Sequence, residues 1–168
     1  MSARAAWRLE TLGFDPVYDY TSGKQDWLAA GLPPEGREAH LPRAGTVCRK
    51  DVPTCGLGDS MAEVSKRVRT AGWDVCLVVN EERVVFGILR DDAFDEQGER
   101  TAEKAMRPGP STFRPNVPIE EMAHLMTGHG IQNATVTTSD GRLVGLLVLE
   151  DAVRAAHALH ESARSRHE

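Results

Sequence analysis

The stretch "GRLVGLLVLEDA", residues 141–152, has a near twin in "ERVVFGILRDDA", residues 82–93. Each holds a polar turn, an apolar run around a glycine, and then carboxylates. The two glycines, Gly87 and Gly145, set an offset that aligns residues 46–94 with 104–152 without a gap. Only seven of those 49 pairs are identical, too few to decide anything alone. The apolar register is the stronger signal. Met61 meets Ile119, Val64 meets Met122, Val68 meets Met126, Trp73 meets Ile131, Val78 meets Val136, and Ile88–Leu89 meets Leu146–Leu147. A core face kept through a helix and two strands predicts a duplicated β-α-β-β-α unit. One unit of about 55 residues buries too little surface to stand alone, so the two are expected to pack sheet to sheet.

The elements follow from period and punctuation. In the first unit a helix is expected over 59–71, opened by Asp59 or Ser60, with strands over 75–79 and 84–89. "DDAFDEQGE" then starts a short helix and ends in a glycine turn. In the second unit the expectations are a helix over 118–129, a strand over 133–138, a hairpin turn at Asp140–Gly141, a strand over 143–148 and a last helix from Glu150 to Ala163. Upstream, residues 3–12 and 21–31 read as short helices and "PVYDY" (16–20) as a strand. Residues 32–45 hold three of the nine prolines and read as a linker.

Composition excludes several classes. The chain has 168 residues, 40% apolar and 27% charged, ordinary for a globular protein. No apolar run approaches the roughly 18 residues that a membrane helix needs, and the N-terminus lacks the apolar core of a secretory signal. Three cysteines with no CxxC pair argue against a disulfide framework or zinc ribbon. A reducing, cytoplasmic setting is expected. The net charge of −5, with no basic stripe, argues against binding duplex nucleic acid.

The repeated segments "AGWDVCLVVNEERVVFGILRDDAF" and "GHGIQNATVTTSDGRLVGLLVLEDAV", each with its preceding helix, resemble the cystathionine-β-synthase (CBS) domain. That domain occurs as tandem pairs, or Bateman modules. The resemblance covers about residues 45–157. It implies an α+β fold with pseudo-twofold symmetry and two clefts that bind adenosine-containing ligands or stay empty. The implied division is an N-terminal extension over 1–38, a first repeat over 45–100, a second over 101–157, and a helix end or tail over 158–168.

The family's ligand signature is Gly-h-h-Thr/Ser-x-x-Asp, where h is apolar. Its aspartate accepts hydrogen bonds from ribose hydroxyls, and the helix N-terminus favours anionic groups. In the second repeat, Gly145 to Asp151 keeps the aspartate but has Val148 at the hydroxyl position. In the first, Gly87 to Ala93 has Arg90 for the hydroxyl and Ala93 for the acid, with Asp91 and Asp92 standing early. The resemblance therefore places a ligand in the second repeat's cleft. Asp151 would hold ribose beside Val148, with Thr112 and Arg114 from the entering strand and Asn133 and Thr135 from the next. Asp151 as a simple helix cap is the plainer alternative. The weaker cleft would use Arg90, Asp91, Asp92 and Thr54, with Arg90 pairing to Asp91 or Asp92 or meeting a phosphate. Family members often carry basic residues before the second strand. Here those positions are Asp74–Val75 and Gln132–Asn133, and the customary strand proline is Leu77 or Thr135. These departures predict against phosphate-rich ligands.

Two further groups were weighed. His157 and His160 have a spacing that can ligate a metal, but no Asp, Glu or Cys partner completes a set nearby in sequence, so a solvated helix face is expected. Cys48, Cys55 and Cys76 match apolar repeat partners, which predicts packing rather than chemistry. The segment "AAWRLETLGFDPVYDYTSGKQDWLAAGLPPEG" is similar to the closing stretch of rhodanese-like domains, without their upstream cysteine loop. Its Trp7, Phe14, Tyr18, Tyr20 and Trp27 are expected to bury against the CBS pair or a partner subunit. Together these readings imply a non-enzymatic regulatory sensor and a likewise cytoplasmic homodimer. It needs no cofactor or metal and binds AMP, ATP, S-adenosylmethionine or an NAD-like ligand, with a protein partner reading the change. The competing reading is a ligand-free interaction scaffold.

Overall fold

A computed structural model describes residues 2–36, 39–95 and 100–164. The glycine turn expected at Gly98, residues 37–38 of the expected linker and the tail from 165 onward lie outside the described residues. The helices are α1 Ser2–Thr11, α2 Gly23–Ala29, α3 Ala44–Val47, α4 Met61–Thr70, α5 Asp91–Asp95, α6 Ala102–Ala105, α7 Ile119–Gly128 and α8 Leu149–Arg164. The strands are β1 Thr54–Cys55, β2 Cys76–Val79, β3 Val85–Leu89, β4 Arg107–Pro108, β5 Thr112–Phe113, β6 Asn133–Thr137 and β7 Leu143–Val148. No described helix is long and apolar enough to cross a membrane.

The repeat is visible in the pairing. One sheet runs β1-β2-β3-β4 and the other β5-β6-β7. In both, the entering strand pairs parallel to the next, and that strand pairs antiparallel to the one carrying the glycine. Even the irregularities match: the ladder slips between Val78 and Val79 in one sheet and between Val136 and Thr137 in the other. The helices bury the expected faces, Met61, Val64 and Val68 in α4 and Ile119, Met122 and Met126 in α7. Gly72 and Gly130, both at positive φ, turn the chain out of these helices.

The repeats are also laced together. The lead-in of each pairs with the glycine strand of the other. Arg107 in β4, second-repeat sequence, pairs with Ile88 of β3. Its repeat mate Arg49 pairs with Leu146 of β7, through Arg49 N–H to Leu146 O at 2.8 Å and Leu146 N–H to Arg49 O at 2.9 Å. The cores follow the same exchange. Ala44 and Cys48 join the second repeat's cluster around Ile119, Met122, Met126 and Leu147, whereas Ala102 joins the first repeat's cluster around Met61, Val64 and Leu89. A third cluster of Val52, Val75, Leu77, Ile88, Leu143 and Leu146 draws on both sheets. Neither repeat has a complete core without the other's lead-in.

The glycines of the opening stretches are the crossing points. A Cβ on Gly145 would stand 2.5 Å from Arg49 O and 2.8 Å from Cys48 Sγ, and one on Gly87 would stand 2.4 Å from Met106 Sδ. Cys48 and Met106 are repeat mates. Glycine is used because the other repeat's lead-in passes where a side chain would sit, its backbone at Gly145 and the Met106 side chain at Gly87.

The N-terminal extension departs from expectation. α1 and α2 form, but residues 16–20 pair with no strand. A strand persists only where a neighbour takes up its backbone groups, and the described residues offer none there. The aromatics do not bury against the pair within one chain: Trp7 is 65% exposed, Phe14 60% and Tyr18 86%. The local order is internal, with Tyr20 and Trp27 edge to face at 5.2 Å and Trp27 Nε1–H donating to Pro33 O at 3.1 Å.

Candidate functional site

The strand exchange makes each cleft from both repeats. On one side, the end of β3 (Ile88, Arg90) faces β4, β5 and the start of β6, enclosing a cavity of about 280 Å3. Its walls are apolar at Phe113 and Ile131 and polar at Arg90, Arg107, Asn133 and Thr135. Thr135 is only 2% exposed, and its hydroxyl has no hydrogen-bond partner among the described residues. Among the described residues the buried side-chain polar atom without a partner is Asn116 Oδ1; the Thr135 hydroxyl is reached from the cavity and is available to whatever enters. Arg90 likewise has no ion-pair partner among the described residues. Arg107 Nη2 bonds Asp92 Oδ2 at 2.6 Å, and that hydrogen bond, more than the charge, holds the Asp92 carboxyl below its usual range. The expected pairing of Arg90 with Asp91 or Asp92 does not form; Arg107 takes Asp92 instead.

The mate cleft is closed. Asn133, Thr135 and Pro110 correspond to Val75, Leu77 and Val52, all buried in the third cluster. Arg49 lies across it, its guanidinium carbon 5.6 Å from the Trp73 ring centroid and its Nε 2.6 Å from Asp151 Oδ2. Arg154 adds a contact to Asp151 Oδ1 at 3.2 Å. The expected ligand set is thus parted: Asn133 and Thr135 line the open cavity, Asp151 pairs with Arg49 at the opposite cleft, and Val148 pairs through its backbone with Asn133. The physical reason is the exchange itself, which turns each β-strand end toward the other repeat's lead-in. Asp151 is engaged by arginine rather than capping α8.

The remaining expected residues have structural partners. Arg114 Nη1 donates to Thr137 Oγ1 at 2.9 Å and to Thr138 O, tying β5 to the end of β6. Thr112 pairs through its backbone with Thr135. Thr54 pairs with Leu77, and its carbonyl accepts Arg67 Nη1–H at 2.9 Å. Asp91 opens α5. Arg107 was missed; its signal was its identity with Arg49 across the repeat.

The thiols and histidines match the plain readings. Cys48, Cys55 and Cys76 are buried and free, burial pushes the Cys48 thiol up to about 11, and a thiol so protonated is a poor nucleophile. His160 Nε2 meets Glu120 Oε1 at 3.3 Å, and no cluster among the described residues could hold a metal ion.

The Arg49–Asp151 bridge carries a pH prediction. The hydrogen bond from Arg49, then its charge and that of Arg154, depress the Asp151 pKa against a smaller opposing effect of burial. A depressed carboxyl stabilises the fold above its unfolded pKa, and the contribution is lost as pH falls through the folded value. Asp151→Asn should therefore cost about 1 kcal/mol at pH 7. Thermal melts of variant and wild type should converge as pH falls below the ordinary carboxylate range.

A family model for the CBS domain matches residues 44–94 and 102–158. The chain belongs to the CBS domain family. An uncharacterised protein of Methanopyrus kandleri is 26% identical over 118 residues, 66% of this chain and 60% of that protein. The chain thus spans less than two thirds of that relative's length. Among solved structures, CBSX2 of Arabidopsis thaliana in complex with AMP superposes with a TM-score of 0.63 at 18% identity, covering 71% of this chain and 98% of that one. A CBS domain pair in complex with 5′-methylthioadenosine and S-adenosyl-L-methionine gives 0.60 at 21%, covering 70% and 98%. At these identities the likeness is one of fold. The matched ranges begin at residue 44, so the rhodanese-like stretch lies outside them. Within the CBS pair, the open cavity lies at the end of the first repeat's glycine strand and the arginine-filled cleft at the end of the second's.

Proposed function

We propose that the CBS pair is a non-enzymatic regulatory module whose open cavity binds an adenosine-containing ligand. The observation that carries this is the cavity itself, walled by Thr135, whose hydroxyl has no hydrogen-bond partner among the described residues. The apolar faces of Phe113 and Ile131 suit a flat heterocycle, with Asn133 beside them to read its polar edge. The complexes of similar pairs with AMP and with S-adenosyl-L-methionine support that ligand class. Binding between two repeats shifts their relative geometry to the extent that the ligand prefers one arrangement. A homodimer, cytoplasmic by its reduced cysteines, would pass that shift to a partner.

The scaffold reading draws on the closed mate cleft, where the chain's own side chains take up the space and Arg49 pairs with Asp151. Thermal shift with AMP, ATP, S-adenosylmethionine and NAD separates the two, since a ligand at 100 times its Kd adds about 2.7 kcal/mol. At least one should raise Tm, and Thr135→Val should weaken the response by about tenfold in affinity. No response to any of the four favours the scaffold. A response lost with Asp151→Ala and kept with Thr135→Val would move the ligand to the other cleft.

A further inference from the structure

On the reading that the open cavity holds an adenosine-type ligand, we propose that it selects a phosphate-bearing mononucleotide anion and rejects a sulfonium cation. Among the described residues the charged groups on its wall are the guanidinium groups of Arg90 and Arg107, and none of the described carboxylates lines it. Arg90 is exposed and has no partner among the described residues, so its charge is uncompensated beside the cavity. Arg107 spends Nη2 on Asp92, and its other donors make no hydrogen bond within the described residues. A guanidinium has five donors in a planar fork that matches phosphate oxygens. Asp92 therefore orients Arg107 without exhausting it, and a phosphate can share or take over the fork.

The rest of the wall agrees. Asn133 and Thr135 are neutral, so they can read a heterocycle or a sugar hydroxyl but cannot balance a positive ligand. With none of the described carboxylates on the wall, no acceptor-only group among the described residues grips both hydroxyls of a ribose, so the sugar contributes little discrimination. The cavity volume of about 280 Å3 falls at the lower edge of the roughly 300–1,000 Å3 typical of ligand sites. That size favours a mononucleotide over a dinucleotide. The basic residues come from positions 90 and 107, not from the segment before the second strand. The proposal thus runs against the expectation drawn from the segment before the second strand.

Titration calorimetry on the full chain tests this with AMP, 2′-deoxy-AMP, adenosine, S-adenosylmethionine and pyrophosphate. AMP and its 2′-deoxy form should bind alike, and at least about tenfold tighter than adenosine or S-adenosylmethionine. Arg90→Gln should remove that advantage while leaving adenosine unchanged, with circular dichroism confirming the fold. Raising salt should weaken AMP and spare adenosine. Adenosine or S-adenosylmethionine binding as tightly as AMP would refute charge selection while the adenosine reading stands. So would AMP binding indifferent to both Arg90→Gln and Arg107→Gln. Pyrophosphate bound through Arg90 with no adenine compound binding would keep the anion selection and refute the adenosine reading. No binding by any probe refutes both.

Discussion

Gly145→Ala should lower the stability of the protein by about 3 kcal/mol, near the upper end of what one inserted carbon does in a packed interior. The new methyl would stand 2.5 Å from Arg49 O, 3.2 Å from Arg49 C and 2.8 Å from Cys48 Sγ. Two of those three atoms are backbone, so no side-chain rotation relieves the clash. Segment 48–49 must retreat from β7. With it go the two Arg49–Leu146 backbone hydrogen bonds and the alignment of Arg49 with Trp73 and Asp151. At about 2–4 °C per kcal/mol for a chain of this size, the melting temperature should fall by about 6–12 °C in a calorimetric scan. Gly87→Ala is the matched control. Its clash is with the Met106 side chain alone, closest at Sδ, 2.4 Å, and a flexible thioether can move. The control should lose about half as much. Equal losses would mean that the crossing lead-in is not what the second glycine accommodates.

The elements in which this exchange is written were legible in the sequence, and the exchange itself was not. The faces of α4 and α7 could be read because a helix buries residues at a fixed period whatever it packs against. The glycines could be read as special. What passes over them could not, because Arg49 and Leu146, which meet, stand far apart in sequence and no local period records a distant partner. The same gap parted the expected site. Asp151 stood in the right place in its motif, but its partner Arg49 lies 102 residues away. Thr135 and Asn133 were read as the polar wall of a cleft, and they are one, but of the open cavity that Arg90 lines rather than the cleft of Asp151. The difference between Leu77 and Thr135 was the legible clue. At one position of a shared fold, one repeat has a residue that fills space and the other a residue that leaves it.

That difference yields the other large effect. Leu77 is fully buried in the third cluster, at the place its mate Thr135 occupies beside the cavity. Leu77→Thr deletes buried carbon and introduces a hydroxyl with no partner in sight, so it should cost about 2–4 kcal/mol. The reciprocal change should run the other way. Thr135→Leu places apolar volume in a cavity already present and removes a hydroxyl that bonds none of the described residues. It should therefore stabilise the unliganded chain by about 1 kcal/mol and abolish any thermal response to AMP. Opposite signs at two repeat mates are expected only if one cleft is built closed and the other is held open at a cost to stability. Such a cost is the usual mark of a functional site. Denaturant melts of the two variants, with and without AMP, decide it. Two destabilised proteins would make Thr135 an ordinary packing residue. A stabilised Thr135→Leu that still responds to AMP would place the ligand elsewhere.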